Sequence, residues 1–168
     1  MQAYLDNSAT TKCSERAKNK MLQTLLADYG NPSSLHMMGV DAERYVKEAQ
    51  EKIAKTLKAE PKEIIFTSGG TESNNMALIG TAMANKRAGM HLITTGIEHA
   101  SVAAPMEYLE EQGFRVTYLP VDKDGIISLE KLKEAVDEET ILVSLMMVNN
   151  EIGALEPIEE AVRVIKEK

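Results

Sequence analysis

Cysteine, tryptophan and positive charge are all scarce in this chain of 168 residues. Its one cysteine, Cys13, rules out an internal disulfide and any zinc site built on several thiolates. Lys and Arg number 19 against 26 Asp and Glu, a formal net charge of −7. With no basic excess to meet phosphates, that balance argues against a nucleic-acid partner and against an anionic membrane surface. Long apolar runs are missing too. The most apolar stretch, ILVSLMMV at 141–148, falls far short of the about 20 residues a bilayer-spanning helix needs. The first residues, MQAYLDNSATT, carry Asp6 and no apolar h-region, so no secretory signal is expected. No repeat, low-complexity tract or Gly/Ser linker divides the chain. What remains is 43% apolar and 27% charged, the composition expected of a reduced, cytoplasmic globular protein.

After an extended segment over 1–14, Ser14 is placed to cap a helix with Met21, Leu22, Leu25 and Leu26 on one face. Gly30-Asn31-Pro32 stops it, and Ser33 or Ser34 can cap a second helix whose apolar positions run from Met38 to Leu57. Beyond Pro61 the pattern changes to short β-rich runs alternating with helices. EIIFT (63–67), HLITT (91–95), FRVTYL (114–119) and ILVSLMM (141–147) read as strands. Between them, helices are expected over 72–87, from about Pro105 to Gly113, over LEKLKEAV after a Ser128 cap, and from Pro157 onward. The alternation predicts an α/β fold with a mainly parallel sheet sandwiched by helices. Such sheets bind ligands at the carboxyl ends of their strands.

Three loops lie at those ends. In TSGGTESNN (67–75), two glycines precede Thr71 at a helix start, where free backbone N–H groups and the helix dipole favour an anion. Neither a Walker loop nor GxGxxG is present. In TTGIEHAS (94–101), His99 can face a ligand and Glu98 can orient it; His36 and His91 have less local support and read as structural. In VNNEIG (148–153), Asn149, Asn150 and Glu151 place amides and a carboxylate after the most apolar strand. Each loop alone has an ordinary explanation as a cap or turn. Together they present an anion cradle, an imidazole and an amide to one crevice, which suits a planar, phosphorylated ligand with an aromatic ring.

The blocks YLDNSATT (4–11), GNPSSLH (30–36), IIFTSGGTESNN (64–75), IEHASV (97–102), GIISLEKLKEAV (125–136) and VNNEIG (148–153) occur in the order found in cysteine desulfurases. The chain resembles the NifS/IscS type of that family, within the class V aminotransferase branch of fold-type I enzymes. The resemblance implies the N-terminal part of a PLP-dependent transferase (aminotransferase-like) large domain over 15–168, with pyridoxal 5'-phosphate as cofactor and no metal. It assigns Gly70 and Thr71 to the cofactor phosphate. His99 would stack on the pyridine ring and act in proton transfer, and Asn150 would lie near the phenolic oxygen. Asn31, Ala9 and Thr10 fall to the substrate side. The family reaction takes sulfur from L-cysteine, leaving L-alanine and a persulfide on an enzyme cysteine. A homodimer and sulfur-acceptor proteins are the implied partners.

The departures matter equally. The family's aspartate facing the pyridine nitrogen, its Schiff-base lysine in Ser-x-His-Lys and its persulfide cysteine find no match here, and Cys13 corresponds to no catalytic cysteine. The last helix, with Ile158, Val162 and Ile165 on one face, leads toward a strand that does not follow. The expectation is therefore an N-terminal piece, a truncated gene or one half of a split enzyme, holding the cofactor non-covalently and inactive alone. Alternatives from this reading are another class V aminotransferase, a selenocysteine lyase, or a non-catalytic interaction module.

Overall fold

The computed structural model describes residues 2–168. Backbone contacts divide the chain after Phe66 into two compact units, each described in its own right.

The first unit is helical. Ser14 caps α1 (Glu15–Leu26) by accepting the amide of Ala17, yet α1 buries none of its residues. The second helix, α2 (Met37–Leu57), is capped by His36 rather than by Ser33 or Ser34: Nδ1 of the imidazole accepts from the Gly39 amide. Three buried small residues, Gly39, Ala42 and Ala54, mark its packed side. Gln23, Asp28 and Tyr45 form a hydrogen-bonded triangle, and the Asp28 carboxylate raises the Tyr45 phenol above its ordinary range. The strand expected over 63–67 is absent. Pro61–Glu63 forms a 3-10 turn, and Ile65 and Phe66 are 65% and 51% exposed. An apolar run becomes a strand only where another strand satisfies its backbone, and no described strand pairs with this one.

The second unit holds a sheet of β1 (His91–Thr95), β2 (Arg115–Leu119) and β3 (Thr140–Val143) in the order β2-β1-β3, parallel throughout. Every residue of central β1 is buried, as a strand covered on both faces must be. Leu92 joins a core with Leu78 and Ala82 of α3 (Gly70–Asn85) and Val102, Met106 and Leu109 of α4 (Ala100–Glu111). Its neighbour Ile93 points the other way, into a core with Leu132 of α5 (Leu129–Ala135) and Ala161 of α6 (Ile158–Lys166). The fold is thus an α/β layer structure with helices on both faces of a parallel sheet. Two boundaries differ from expectation. α4 starts at Ala100, so Pro105 lies inside it and removes one backbone bond, that to the Ser101 carbonyl. β3 ends at Val143: the Ser144 amide still bonds to the Ile93 carbonyl of β1 at 2.8 Å, but the Met146 amide goes to a side chain, Glu98.

At the start of β1 a fully buried imidazole ties the three strands together. His91 Nδ1 lies 2.7 Å from Thr140 Oγ1 and Nε2 lies 2.8 Å from Thr117 Oγ1. Beside it Arg115 pairs with Asp137 at 2.6 Å.

Candidate functional site

The turn into α3 is pinned by its own side chains. Glu72 Oε2 accepts the amide and hydroxyl of Ser68 at 2.6 and 2.7 Å, bonds that hold its carboxyl below the ordinary range. Thr67 and Ser73 hydroxyls meet at 2.7 Å. The first helical bond runs from Ser73 N–H to the Gly69 carbonyl, and Gly69 supplies no side-chain cap. The amides of Gly70, Thr71 and Glu72 therefore lack partners among the described residues, as a first helical turn does unless something caps it. A Cβ built on Gly69 or Gly70 would meet nothing within 4 Å. These glycines are not there to avoid a protein neighbour; they leave open space beside the unpartnered amides.

His99 caps α4 with its ring. Nδ1 accepts from the Ser101 amide at 3.0 Å and lies 2.8 Å from Ser101 Oγ. Since an amide can only donate, the neutral ring carries its proton on Nε2. Ser101 Oγ in turn accepts from Asn74 Nδ2 at 2.8 Å. The ring is thus fixed through Ser101 to α3, not through Glu98 as the sequence suggested. Thr71, Asn75 and Ile79 of α3 and His99, Ser101 and Tyr108 on the α4 side wall one cleft of about 490 Å³. That is the size of ordinary small-molecule sites. Thr71 brings the unpartnered helix start to the edge of this cleft, opposite the fixed imidazole, a pairing that suits a phosphorylated aromatic ligand.

The third loop is fastened to the second. Asn149 is buried; its Nδ2 donates to the Ile97 carbonyl at 2.9 Å and its Oδ1 accepts the amides of Glu151 and Ile152. Glu98 Oε1 accepts the Met146 amide at 2.8 Å and the Thr95 hydroxyl at 3.1 Å. Burial pushes the Glu98 carboxyl up, an effect those two bonds oppose.

The aminotransferase class-V family model matches residues 3–168. The chain belongs to the aminotransferase class-V family. It is 48% identical over 167 residues to a cysteine desulfurase IscS of Clostridium botulinum (strain Kyoto / Type A2), covering 99% of this chain and 42% of that protein. A cysteine desulfurase IscS of Methanosarcina thermophila is 47% identical over 164 residues, with 98% and 41% covered. Among solved structures, a NifS-like protein matches with a TM-score of 0.95 at 44% identity, over 100% of this chain and 46% of that one. The chain spans less than half the length of these relatives and corresponds to their N-terminal portion.

Within this class-V chain the expected site residues are only partly brought together. Thr71 and His99 share the cleft, and Gly70 opens the helix beside Thr71. Asn150 does not line it; its exposed amide donates to Glu151 Oε1 at 2.9 Å. Ala9, Thr10 and Asn31 belong to the first unit. There the amides of Ala9 and Thr10 bond to the Asp6 carbonyl and Asn31 Oδ1 accepts the Ser33 amide. Cys13 is exposed. Sequence reasoning missed Asn74 and Ser101, which position His99. A serine two residues past the histidine, at a helix start, was the available signal. It also missed Tyr108, whose place on the cleft depends on α4 beginning five residues before the proline. Among the described residues no His/Cys/Asp/Glu group could hold a metal ion, and no helix is long and apolar enough to cross a membrane.

Proposed function

We propose that this chain is the N-terminal part of a pyridoxal-phosphate-dependent cysteine desulfurase, one that releases L-alanine from L-cysteine and leaves persulfide sulfur on a cysteine outside these 168 residues. The observation that carries this reading is the single cleft walled by both Thr71 and the fixed ring of His99. The names of the class-V relatives supply the reaction. When bound, the cofactor supplies an electron sink for the bonds broken in the amino acid.

The chain's own residues would do the following. The free amides of the α3 start and the Thr71 hydroxyl would hold the phosphate dianion, aided by the helix dipole. His99, its Nδ1 already occupied by Ser101, would offer a flat ring face for stacking and an Nε2 proton for transfer. Asn150, whose neighbour Asn149 is committed to Ile97 and to its own turn, would donate its amide to the phenolic oxygen. Asn31, Ala9 and Thr10 would stand on the substrate side. The lysine that fixes the cofactor covalently would come from sequence outside these residues, as would the docking surface for sulfur acceptors and the full homodimer, acting in the cytoplasm.

Equilibrium dialysis of pyridoxal phosphate against the purified chain tests this reading. Saturable binding is expected, competed by inorganic phosphate and weakened about tenfold by Thr71→Val, as loss of one charge-assisted bond implies. No alanine should form from L-cysteine. Absence of binding, or alanine release by the chain alone, would overturn the proposal.

A further inference from the structure

Two loops that leave neighbouring strands in the same direction need not move together. Here the loop after β1 (96–99) and the loop after β3 (144–150) are joined by two fasteners far apart in sequence. One is the Asn149 side chain on the Ile97 carbonyl at 2.9 Å. The other is the Glu98 carboxylate on the Met146 amide at 2.8 Å. Glu98 immediately precedes His99, and Met146 lies four residues before Asn150. Glu98 does not touch the cleft and makes no bond to His99; both of its bonds, to Met146 and to Thr95 of β1, fall on the same oxygen, Oε1. A half-buried carboxylate committed to the amide of another loop is a poor candidate for a mere surface charge.

We infer that Glu98 is a positioning residue: its carboxylate latches the 144–150 loop to the His99 loop, so that the imidazole and the Asn150 amide approach one ligand as a single rigid edge. The cofactor part of this inference rests on the function proposed above; the latch itself does not. Glu156, on the segment before α6, adds a like charge that disfavours the ionised form of Glu98. Glu156 Oε2 is itself engaged by the Ile127 amide at 3.0 Å. Protonating Glu98 weakens it as an acceptor, so the latch should loosen in acid at a pH above that of an ordinary glutamate.

Amide hydrogen exchange resolved at Met146, on the chain without cofactor, reads the latch directly. In the wild type, Met146 should be protected near neutrality and lose protection as pH falls through the Glu98 transition. Glu98→Gln keeps an acceptor oxygen without a titratable charge. It should retain protection within about threefold, with no such pH dependence, because a neutral bond replaces a charge-assisted one. Glu98→Ala should lose protection about tenfold at Met146, while Leu92 in the core of β1 is unchanged. Met146 protection that survives Glu98→Ala, or that follows pH identically in wild type and Glu98→Gln, would refute the latch. Should Glu98→Ala fail to fold, the Gln comparison decides alone. Pyridoxal phosphate dialysis is the second arm. Weaker binding by Glu98→Ala, rescued in Glu98→Gln, supports the positioning role; equal binding by all three refutes it. If none of the three binds, the function proposal fails while the exchange result still judges the latch.

Discussion

Replacing His91 by alanine puts the heart of the sheet to a quantitative test. The imidazole is 0% exposed and bridges Thr140 on β3 and Thr117 on β2 from central β1. Thr140 keeps other partners, the amide and carboxylate of Asp137, whereas Thr117 Oγ1 loses its bond. At about 1 kcal/mol for each lost bond, and about 2 kcal/mol for a cavity in a site that cannot collapse, His91→Ala should cost about 4 kcal/mol. That is a large share of the about 5–15 kcal/mol that holds a typical domain together. Acid should expose the same interaction. Burial first, and the Arg115 charge second, lower the His91 pKa against the opposing pull of Asp137. A base with a lowered folded pKa takes up its proton in the unfolded chain first. Its contribution is therefore complete above about pH 6.5 and declines as pH falls from there toward the folded value, by at most about 1.4 kcal/mol per pH unit. Asp137 titrates lower: its carboxyl is depressed by Arg115, so its contribution is lost only in stronger acid. Urea denaturation followed by far-UV circular dichroism at pH 8 and pH 5, on wild type and variant, measures both effects. The chain has only three histidines, so imidazole proton resonances can follow His91 itself. A cost below about 1 kcal/mol, or an unchanged difference between the two proteins from pH 8 to pH 5, would refute the reasoning.

Two further outcomes follow from close contacts. A Cβ at Gly89 would lie 2.2 Å from the Glu139 carbonyl oxygen, so Gly89→Ala should push β1 from the start of β3 and lower stability by about 1–3 kcal/mol, read as a shift in the urea midpoint. Ser101→Ala removes the hydroxyl linking His99 to Asn74 while leaving the backbone cap; thermal stability should change by about 1 kcal/mol or less, yet pyridoxal phosphate affinity should fall severalfold. Equal affinity in that variant would show that the ring needs no support from α3.

Local signals in the sequence determined a good deal. Ser14 and Ser128 cap the helices they precede because a serine oxygen needs only the amide three residues on. The apolar runs over 91–95 and 115–119, whose β-branched residues favour extended backbone, formed strands and found parallel neighbours. The anion-binding character of the α3 start was legible too, because it is a property of the backbone at any uncapped helix start. Tertiary structure decided what depends on a partner. Whether 63–67 became a strand rested on a neighbour to pair with, and no window of sequence contains that neighbour. Glu98, beside His99 in the sequence, was the expected orienting group; geometry gave the ring to Ser101, the second residue of the helix it caps, and sent Glu98 across 48 residues to Met146. His91 read as one ordinary histidine, and only the register of three parallel strands put two threonine hydroxyls at its nitrogens. Periodicity fixes which face a residue occupies, but hydrogen bonds between elements are set by how the elements stack, and that is information the chain acquires only on folding.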